Sequence, residues 1–138
     1  KNATAVRIVG SMYAAHRKTP GTIYDLDLTD PENESRNYIL KGDDGTYRPL
    51  FCRHCDEPEC VMHVDGALQK DPETGIVTYD ETKCGSCFMC VMNCPYGVLK
   101  PDEKTGMKII KCDFCIGKGE DPSCVKACPK EAIWVEEV

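Results

Sequence analysis

Residues 84–95 read Cys-Gly-Ser-Cys-Phe-Met-Cys-Val-Met-Asn-Cys-Pro, so that four closely spaced cysteines are followed directly by a proline. Thiolates this close together on a loop can converge on one metal centre, while a helix carries the fourth thiolate, Cys94, toward a neighbouring site. Pro95 lacks an amide donor and ends that helix. The run therefore predicts a metal-binding loop followed by a short helix.

Related patterns lie on both sides of this run, so the chain contains three cysteine modules. The first is C-x-x-C-x4-C, the second is the run at 84–95, and the third is C-x-x-C-x8-C-x-x-x-C-P. Pro58 and Pro122 suit the first turn of the helices in the first and third modules. After the first two modules, turns at 71–75 and 101–106 predict β-hairpins that lead to the next cysteine loop.

These modules predict an α+β fold in which each cysteine loop is followed by a short helix and a strand. We expect a cysteine-rich domain over 47–138, with modules at 47–80, 81–110 and 111–138, the last closing on a strand near 131–135. Residues 1–46 contain no cysteine and have short strand-like runs at 3–9, 23–28 and 38–40. This segment is predicted to be an extended N-terminal arm.

The cysteine content points to iron–sulfur clusters. The chain has 11 cysteines in 138 residues, and the odd number argues against a closed set of disulfides. The spacing at 84–95 is the ligand run of bacterial two-cluster ferredoxins, which bind [4Fe–4S] clusters. The predicted cluster ligands are all of the cysteines, namely Cys52, Cys55, Cys60, Cys84, Cys87, Cys90, Cys94, Cys112, Cys115, Cys124 and Cys128.

The first module lacks a fourth cysteine. Counting forward from Cys60 places Val64 at that position, whereas counting backward from Gly66 places His63 there. Histidine replaces cysteine in Rieske-type clusters, so His63 is a candidate ligand. The alternative is a surface histidine beside a cluster with three protein ligands, such as a three-iron cluster. With His63 the chain has twelve ligands, enough for three [4Fe–4S] clusters. His54 is expected to tune a cluster or to face solvent.

The spacing leaves two pairings of the modules open. In one, the first two modules pair, so that Cys94 joins Cys52, Cys55 and Cys60, and His63 joins Cys84, Cys87 and Cys90. The four cysteines of the third module then hold a third cluster. In the other, the second and third modules exchange Cys94 and Cys128, and the first module stands alone with His63.

Charge and hydropathy exclude two classes of partner. The chain carries 17 basic and 23 acidic residues, and no stretch combines lysine and arginine with aromatic residues as a nucleic-acid surface does. No apolar run approaches the length of about 20 residues that spans a bilayer. The first ten residues lack the apolar stretch of a secretory signal. We expect no nucleic-acid binding, no membrane span and a cytoplasmic location.

From Tyr47 to Val138 the sequence resembles the iron–sulfur electron-transfer subunits of multi-subunit oxidoreductases, such as those serving dimethyl sulfoxide reductase, formate dehydrogenase, formate hydrogenlyase and carbon monoxide dehydrogenase. The stretches that carry this resemblance are 52–61, 83–90 with 93–97, and 111–115 with 124–129. Within the family, the small size and Arg7-Ile8-Val9 are most similar to subunits that accompany tungsten enzymes, of the aldehyde oxidoreductase and benzoyl-coenzyme A reductase types.

The resemblance implies a ferredoxin-like fold and a relay that passes single electrons to or from the catalytic subunit of an anaerobic oxidoreductase, with a tungsten- or molybdenum-pterin site in that subunit and a second redox partner. Members normally have four cysteine motifs, the inner two paired together. This pattern favours pairing the first two modules, and it implies either a further motif upstream of Lys1 or a third cluster with four local cysteines.

Two other functions compete with a subunit of a complex. A free soluble polyferredoxin would use the same clusters without a fixed partner, but the N-terminal arm and the long hairpins favour a bound subunit. A structural zinc protein would combine separated C-x-x-C pairs and has no use for the run at 84–95. The sequence contains no nucleotide-binding loop and no recognisable catalytic triad, so no catalytic residue is assigned.

Overall fold

The computed structural model describes residues 34–62, 66–116, 122–126, 128, 131 and 133–135. The expected strands at 3–9 and 23–28 and the candidate ligand His63 lie outside these residues. Contacts divide the chain into two compact units, one formed by residues 50–114 and the other by residues 1–49 with 115–138. The predicted boundary between 46 and 47 stays a prediction.

Short strands form three two-stranded hairpins in the described part of the chain. Strand β1 (Tyr38–Lys41) pairs with β2 (Tyr47–Leu50), β3 (Leu68–Lys70) with β4 (Val77–Tyr79), and β5 (Lys100–Pro101) with β6 (Ile109–Ile110). The helices are α1 (Glu59–Met62), α2 (Met89–Asn93) and α3 (Ser123–Lys126), and a 3-10 turn spans Glu81–Lys83. The mixture of short helices and hairpins agrees with a ferredoxin-like α+β fold.

The two predicted hairpins of the cysteine-rich region are present and antiparallel. In the first turn, the Asp71 carboxylate accepts a hydrogen bond from the Glu73 amide at 2.8 Å, and Gly75 has a φ of +69°. In the second, the Asp102 carboxylate accepts hydrogen bonds from the amides of Thr105 and Lys108. Aspartate side chains that bind the backbone a few residues ahead stabilise such turns.

Prolines mark the helix ends, as the sequence predicts. Helix α1 follows Pro58, whose carbonyl accepts from the Val61 amide at 2.8 Å, and α3 follows Pro122, whose carbonyl accepts from the Val125 amide at 2.9 Å. Helix α2 ends before Cys94, which has an extended backbone (φ −70°, ψ 112°) as expected for a residue preceding proline.

The residue before the second cysteine of each module has a left-handed backbone. The φ angles are +47° at His54, +57° at Ser86 and +58° at Phe114, and none of these residues is glycine. A left-handed conformation costs a residue with a Cβ about 1–2 kcal/mol, so the surrounding structure must hold it in place. The three cysteine loops therefore share one backbone turn, which supports the repeat inferred from the sequence.

The core of residues 50–114 is small. Among its described residues the buried cluster consists of Leu68, Val77, Cys90, Leu99 and Ile109, which come from the first two modules and their hairpins. Clusters this small seldom stabilise a domain without disulfides, a metal or a partner. The arrangement places the cysteine loops directly around the core, where bound metal centres would enlarge it.

The end of the third module differs from the first two. Among the described residues of its expected strand, Glu131 and residues 133–135 carry no strand pairing. In the earlier modules each strand is paired with the other strand of its own hairpin. Within the described residues, no helix has the length and apolar character that a membrane span requires.

Candidate iron–sulfur sites

Four cysteines from two different modules line one cavity in residues 50–114. They are Cys52, Cys55 and Cys60 of the first module and Cys94 of the second. Helix α1 carries Cys60, helix α2 ends just before Cys94, and the two helices pack against each other. The structure thus brings together the four thiols that would form one site if the first two modules pair.

Cys60 is half-buried among the other thiols of this cavity. Burial, opposed by the positive charge of Lys111 and reinforced by the nearby thiols of Cys52, Cys94 and Cys55, raises the pKa of the Cys60 thiol to about 11. A dry pocket in which several thiols crowd together is unfavourable for free thiolates and favourable for thiolates bound to iron. The donor set therefore fits an iron–sulfur cluster.

A second cavity in the same unit is lined by Cys84, Cys87 and Cys90. Burial raises the pKa of Cys90, and the nearby thiols of Cys87 and Cys84 add to the effect. Cys87 is exposed. Because His63 lies outside the described residues, its role as a fourth ligand stays a prediction. Tyr79 also lines this cavity, and burial followed by a hydrogen bond with Cys84 raises its pKa.

Three cysteines of the third module lie close together in the other unit. Burial raises the pKa of Cys124, and the neighbouring thiols of Cys115 and Cys128 raise it further. The Ser123 amide lies 3.5 Å from the Cys115 sulfur, to which it donates a hydrogen bond. Cys112 belongs to residues 50–114, where its sulfur accepts from the Phe114 amide at 3.4 Å. Amides that donate to cysteine sulfur are typical of iron–sulfur loops.

Two lysines from the hairpins bind the carbonyls of the cysteine loops. The Lys70 ammonium donates to the Cys55 carbonyl at 2.8 Å, and the Lys108 ammonium donates to the Cys84 carbonyl at 3.1 Å. Each contact joins residues at least 15 positions apart and so fixes a loop to a hairpin. Nothing in the sequence indicates these contacts, because a lysine in a short hairpin is normally solvated.

Lys111 is buried, with 2% of its surface exposed, although it directly precedes a predicted ligand. Its ammonium donates hydrogen bonds to the carbonyls of Val77 and Cys112. Lys83 holds the corresponding place before Cys84, but its side chain is 53% exposed and pairs with Asp80. The sequence shows that a lysine precedes a cysteine in both modules. It does not show that only one of the two lysines is buried.

Replacing Lys111 by methionine is expected to weaken the fold, because the two carbonyls lose their hydrogen-bond donor. A buried polar group left without a partner costs about 1–3 kcal/mol. The measurement is the rate at which visible cluster absorbance disappears in urea under argon, which we expect to rise about tenfold or more. Lys83→Met is the matched control and should change the rate little. Equal rates for the two variants would contradict the structural role of Lys111.

His54 is held in one orientation within the first cysteine loop. Its Nδ1 accepts a hydrogen bond from the Val77 amide at 3.0 Å, and its ring meets the Phe114 ring edge-on, with centroids 5.3 Å apart. Burial, followed by the charge of Lys111, lowers the pKa of His54 to about 3. Of the two expectations for His54, a solvent-facing residue does not fit this environment.

The described residues contain no group of three or more His, Cys, Asp or Glu side chains placed to hold a single metal ion. The thiols of the repeated loops line cavities beside the core. These features define a ferredoxin-type protein with iron–sulfur sites.

Comparison with known proteins agrees with this class. Residues 44–138 match the 4Fe-4S dicluster domain family, and the protein belongs to that family. It is 42% identical over 91 residues to the NADH-dependent phenylglyoxylate dehydrogenase subunit beta of Aromatoleum evansii, covering 65% of this chain and 20% of that protein. It is 36% identical over 90 residues to a component of the anaerobic dimethyl sulfoxide reductase of Escherichia coli K12, covering 63% of this chain and 43% of that protein.

A further relative is the chlorate reductase subunit beta of Ideonella dechloratans, which is 42% identical over 86 residues, covering 59% of this chain and 26% of that protein. The protein therefore spans between 20% and 43% of the length of these relatives. All three are named as parts of oxidoreductases, which agrees with the resemblance seen in the cysteine motifs.

Proposed function

We propose that this chain is an electron-transfer subunit that relays single electrons to or from the catalytic subunit of an anaerobic oxidoreductase complex. The observation that carries the proposal is the convergence of Cys52, Cys55, Cys60 and Cys94 on one cavity. [4Fe–4S] clusters, when bound, take up and release one electron at a time. The residues of the chain hold them through thiolates, exclude water with the apolar core and fix the loops through Lys70 and Lys108.

We further propose three clusters, although the family is described as a dicluster domain. Cys52, Cys55, Cys60 and Cys94 would hold the first, and Cys84, Cys87 and Cys90 with His63 the second. In the alternative for the second site, three cysteines hold a three-iron cluster. Cys112, Cys115, Cys124 and Cys128 would hold the third. The 11 cysteines exceed the eight or so ligands that two cubanes need, which supports a third site.

The proposed partner is a catalytic subunit with a tungsten- or molybdenum-pterin site, together with a second redox protein. The names of the relatives support a subunit of a larger enzyme, and the resemblance to subunits of tungsten enzymes supports the choice of metal. The excess of acidic residues, increased by the charge of reduced clusters, suits a basic docking face on that partner. A free polyferredoxin is the alternative, and a cytoplasmic location is proposed for both.

Metal analysis of anaerobically purified protein tests the proposal. We expect about twelve irons and an equal amount of sulfide per chain, with reduced protein giving the electron paramagnetic resonance (EPR) signals of [4Fe–4S]⁺ clusters. A value near eight irons would contradict the third cluster but leave the relay intact. Zinc with no sulfide would contradict the relay altogether. Purification of the native protein distinguishes a bound subunit from a free carrier. A bound subunit should elute in a complex with stoichiometric tungsten or molybdenum, whereas a free carrier should elute alone.

A further inference from the structure

His54 lies between two cysteines of the first site and faces the same cavity. Together with Cys52, Cys55, Cys60 and Cys94, its side chain lines the space in which a cluster would be bound. The hydrogen bond to Val77 and the edge-on contact with Phe114 fix the plane of its ring. The His54 ring is therefore held in one orientation relative to this cavity.

The hydrogen bond at Nδ1 determines where the proton of the ring lies. Because Nδ1 accepts from the Val77 amide at 3.0 Å, it carries no proton, and the neutral ring has its N–H at Nε2. A nitrogen that accepts a hydrogen bond in this way is unavailable to iron, and a protonated Nε2 has no free lone pair for it. In this orientation His54 is a donor and not a ligand.

The Nε2 atom is buried and has no hydrogen-bond partner in the part of the chain that the structure describes. Buried donors in folded proteins nearly always have an acceptor, because leaving one unsatisfied costs about 1–3 kcal/mol. The cavity next to the ring is lined by four thiols, and sulfur atoms of thiolates or of a cluster are the acceptors that the cavity would contain.

We propose that His54 donates a hydrogen bond from Nε2 to a sulfur atom of the cluster held by Cys52, Cys55, Cys60 and Cys94, and thereby raises the reduction potential of that cluster. The inference rests on the proposed function, since it needs a cluster in this site. Hydrogen bonds to sulfur favour the reduced state because that state carries more negative charge. His54 acts as a positioning and tuning residue and exchanges no electrons itself.

The test variant is His54→Asn, which keeps an acceptor near the position of Nδ1 for the Val77 amide and removes the donor at the far side of the ring. Asparagine also tolerates the left-handed backbone (φ +47°) of this position. We expect unchanged iron content and a fall of about tenfold in the equilibrium constant for reduction of one cluster, which is about 59 mV for one electron. The measurement is a redox titration followed by EPR.

Ser86→Asn is the matched control, because Ser86 has the same place and backbone conformation in the second loop (φ +57°). In this variant the potential of the cluster held by Cys52, Cys55, Cys60 and Cys94 should equal that of the wild type. His54→Gln restores a donor near the position of Nε2 and should recover much of the shift. Pulsed EPR of wild-type protein should show a proton coupling to the cluster that is replaced by a deuterium coupling in deuterated water. His54→Asn should lose that coupling.

The outcomes separate this inference from the proposed function. Protein that holds iron and sulfide but shows the same potentials and the same proton coupling in wild type and His54→Asn would overturn the role of His54 alone. Protein without iron and sulfide would overturn the electron-transfer function first. A shift of equal size in Ser86→Asn would show a general effect of the loop substitution and would also overturn the inference.

Discussion

Replacing Cys94 by serine is expected to remove the same cluster as replacing Cys60 by serine, although the two residues belong to different modules. Both side chains line the cavity that also contains Cys52 and Cys55. The thiols of Cys52, Cys94 and Cys55 are also close enough to raise the pKa of Cys60. Each single variant should lose about four irons or convert one cluster to a three-iron form, as expected when a cubane loses a ligand.

The double variant separates the two pairings of the modules. If Cys60 and Cys94 share a cluster, Cys60→Ser with Cys94→Ser should lose no more iron than the worse single variant, because residues in one site are not additive. Cys60→Ser with Cys128→Ser is the control and should lose about eight irons, since the two losses fall on different clusters. An additive loss in the first double variant would favour pairing the second and third modules. Iron analysis and EPR under argon measure both.

Removing iron is expected to unfold residues 50–114. Among the described residues of this unit the buried cluster has five members, one of which is the predicted ligand Cys90, and helix α2 has only five residues. Helices this short are unstable without tertiary packing, and a core of this size does not offset the conformational entropy of the chain. Chelation should therefore abolish the native circular dichroism and open the unit to protease.

The control for this experiment is the same protein in the same buffer without chelator, followed by addition of iron and sulfide to the stripped protein. Recovery of the dichroism and of protease resistance would show that the loss is reversible and due to the metal. A stripped protein that keeps its dichroism and its resistance would contradict the expected dependence of the fold on bound iron. Such a result would instead show that the apolar core of this unit is stable without metal.

Much of the local structure could be predicted from the sequence, because the repeat states it several times. Pro58 and Pro122 mark helix starts, Pro95 marks a helix end, and the turns ending at Gly75 and Gly106 form hairpins. Each of these features depends on neighbours in the chain, and local sequence is enough to specify them. The expected strand at 131–135 is wrong for its described residues because a strand needs a partner, which local sequence does not supply.

The partners of the cysteines could not be predicted in the same way. The sequence allowed Cys94 to join either of two modules, and only the packing of α1 against α2 places it beside Cys60. The same holds for Lys111, which is buried while the equivalent Lys83 is exposed. These differences depend on contacts between residues that are distant in the chain. Equivalent residues of two repeats have similar local sequences, so the local sequence does not distinguish them.

The hydrogen bonds of the Val77 backbone also bear on how the protein avoids aggregation. The Val77 amide donates to His54 and its carbonyl accepts from Lys111, so both backbone groups of Val77 are bound by side chains. An open strand edge is a template for strands of other molecules and a common starting point for aggregation. The side chains of His54 and Lys111 thus also block intermolecular strand pairing at this position, and a variant at either of them should be checked for self-association.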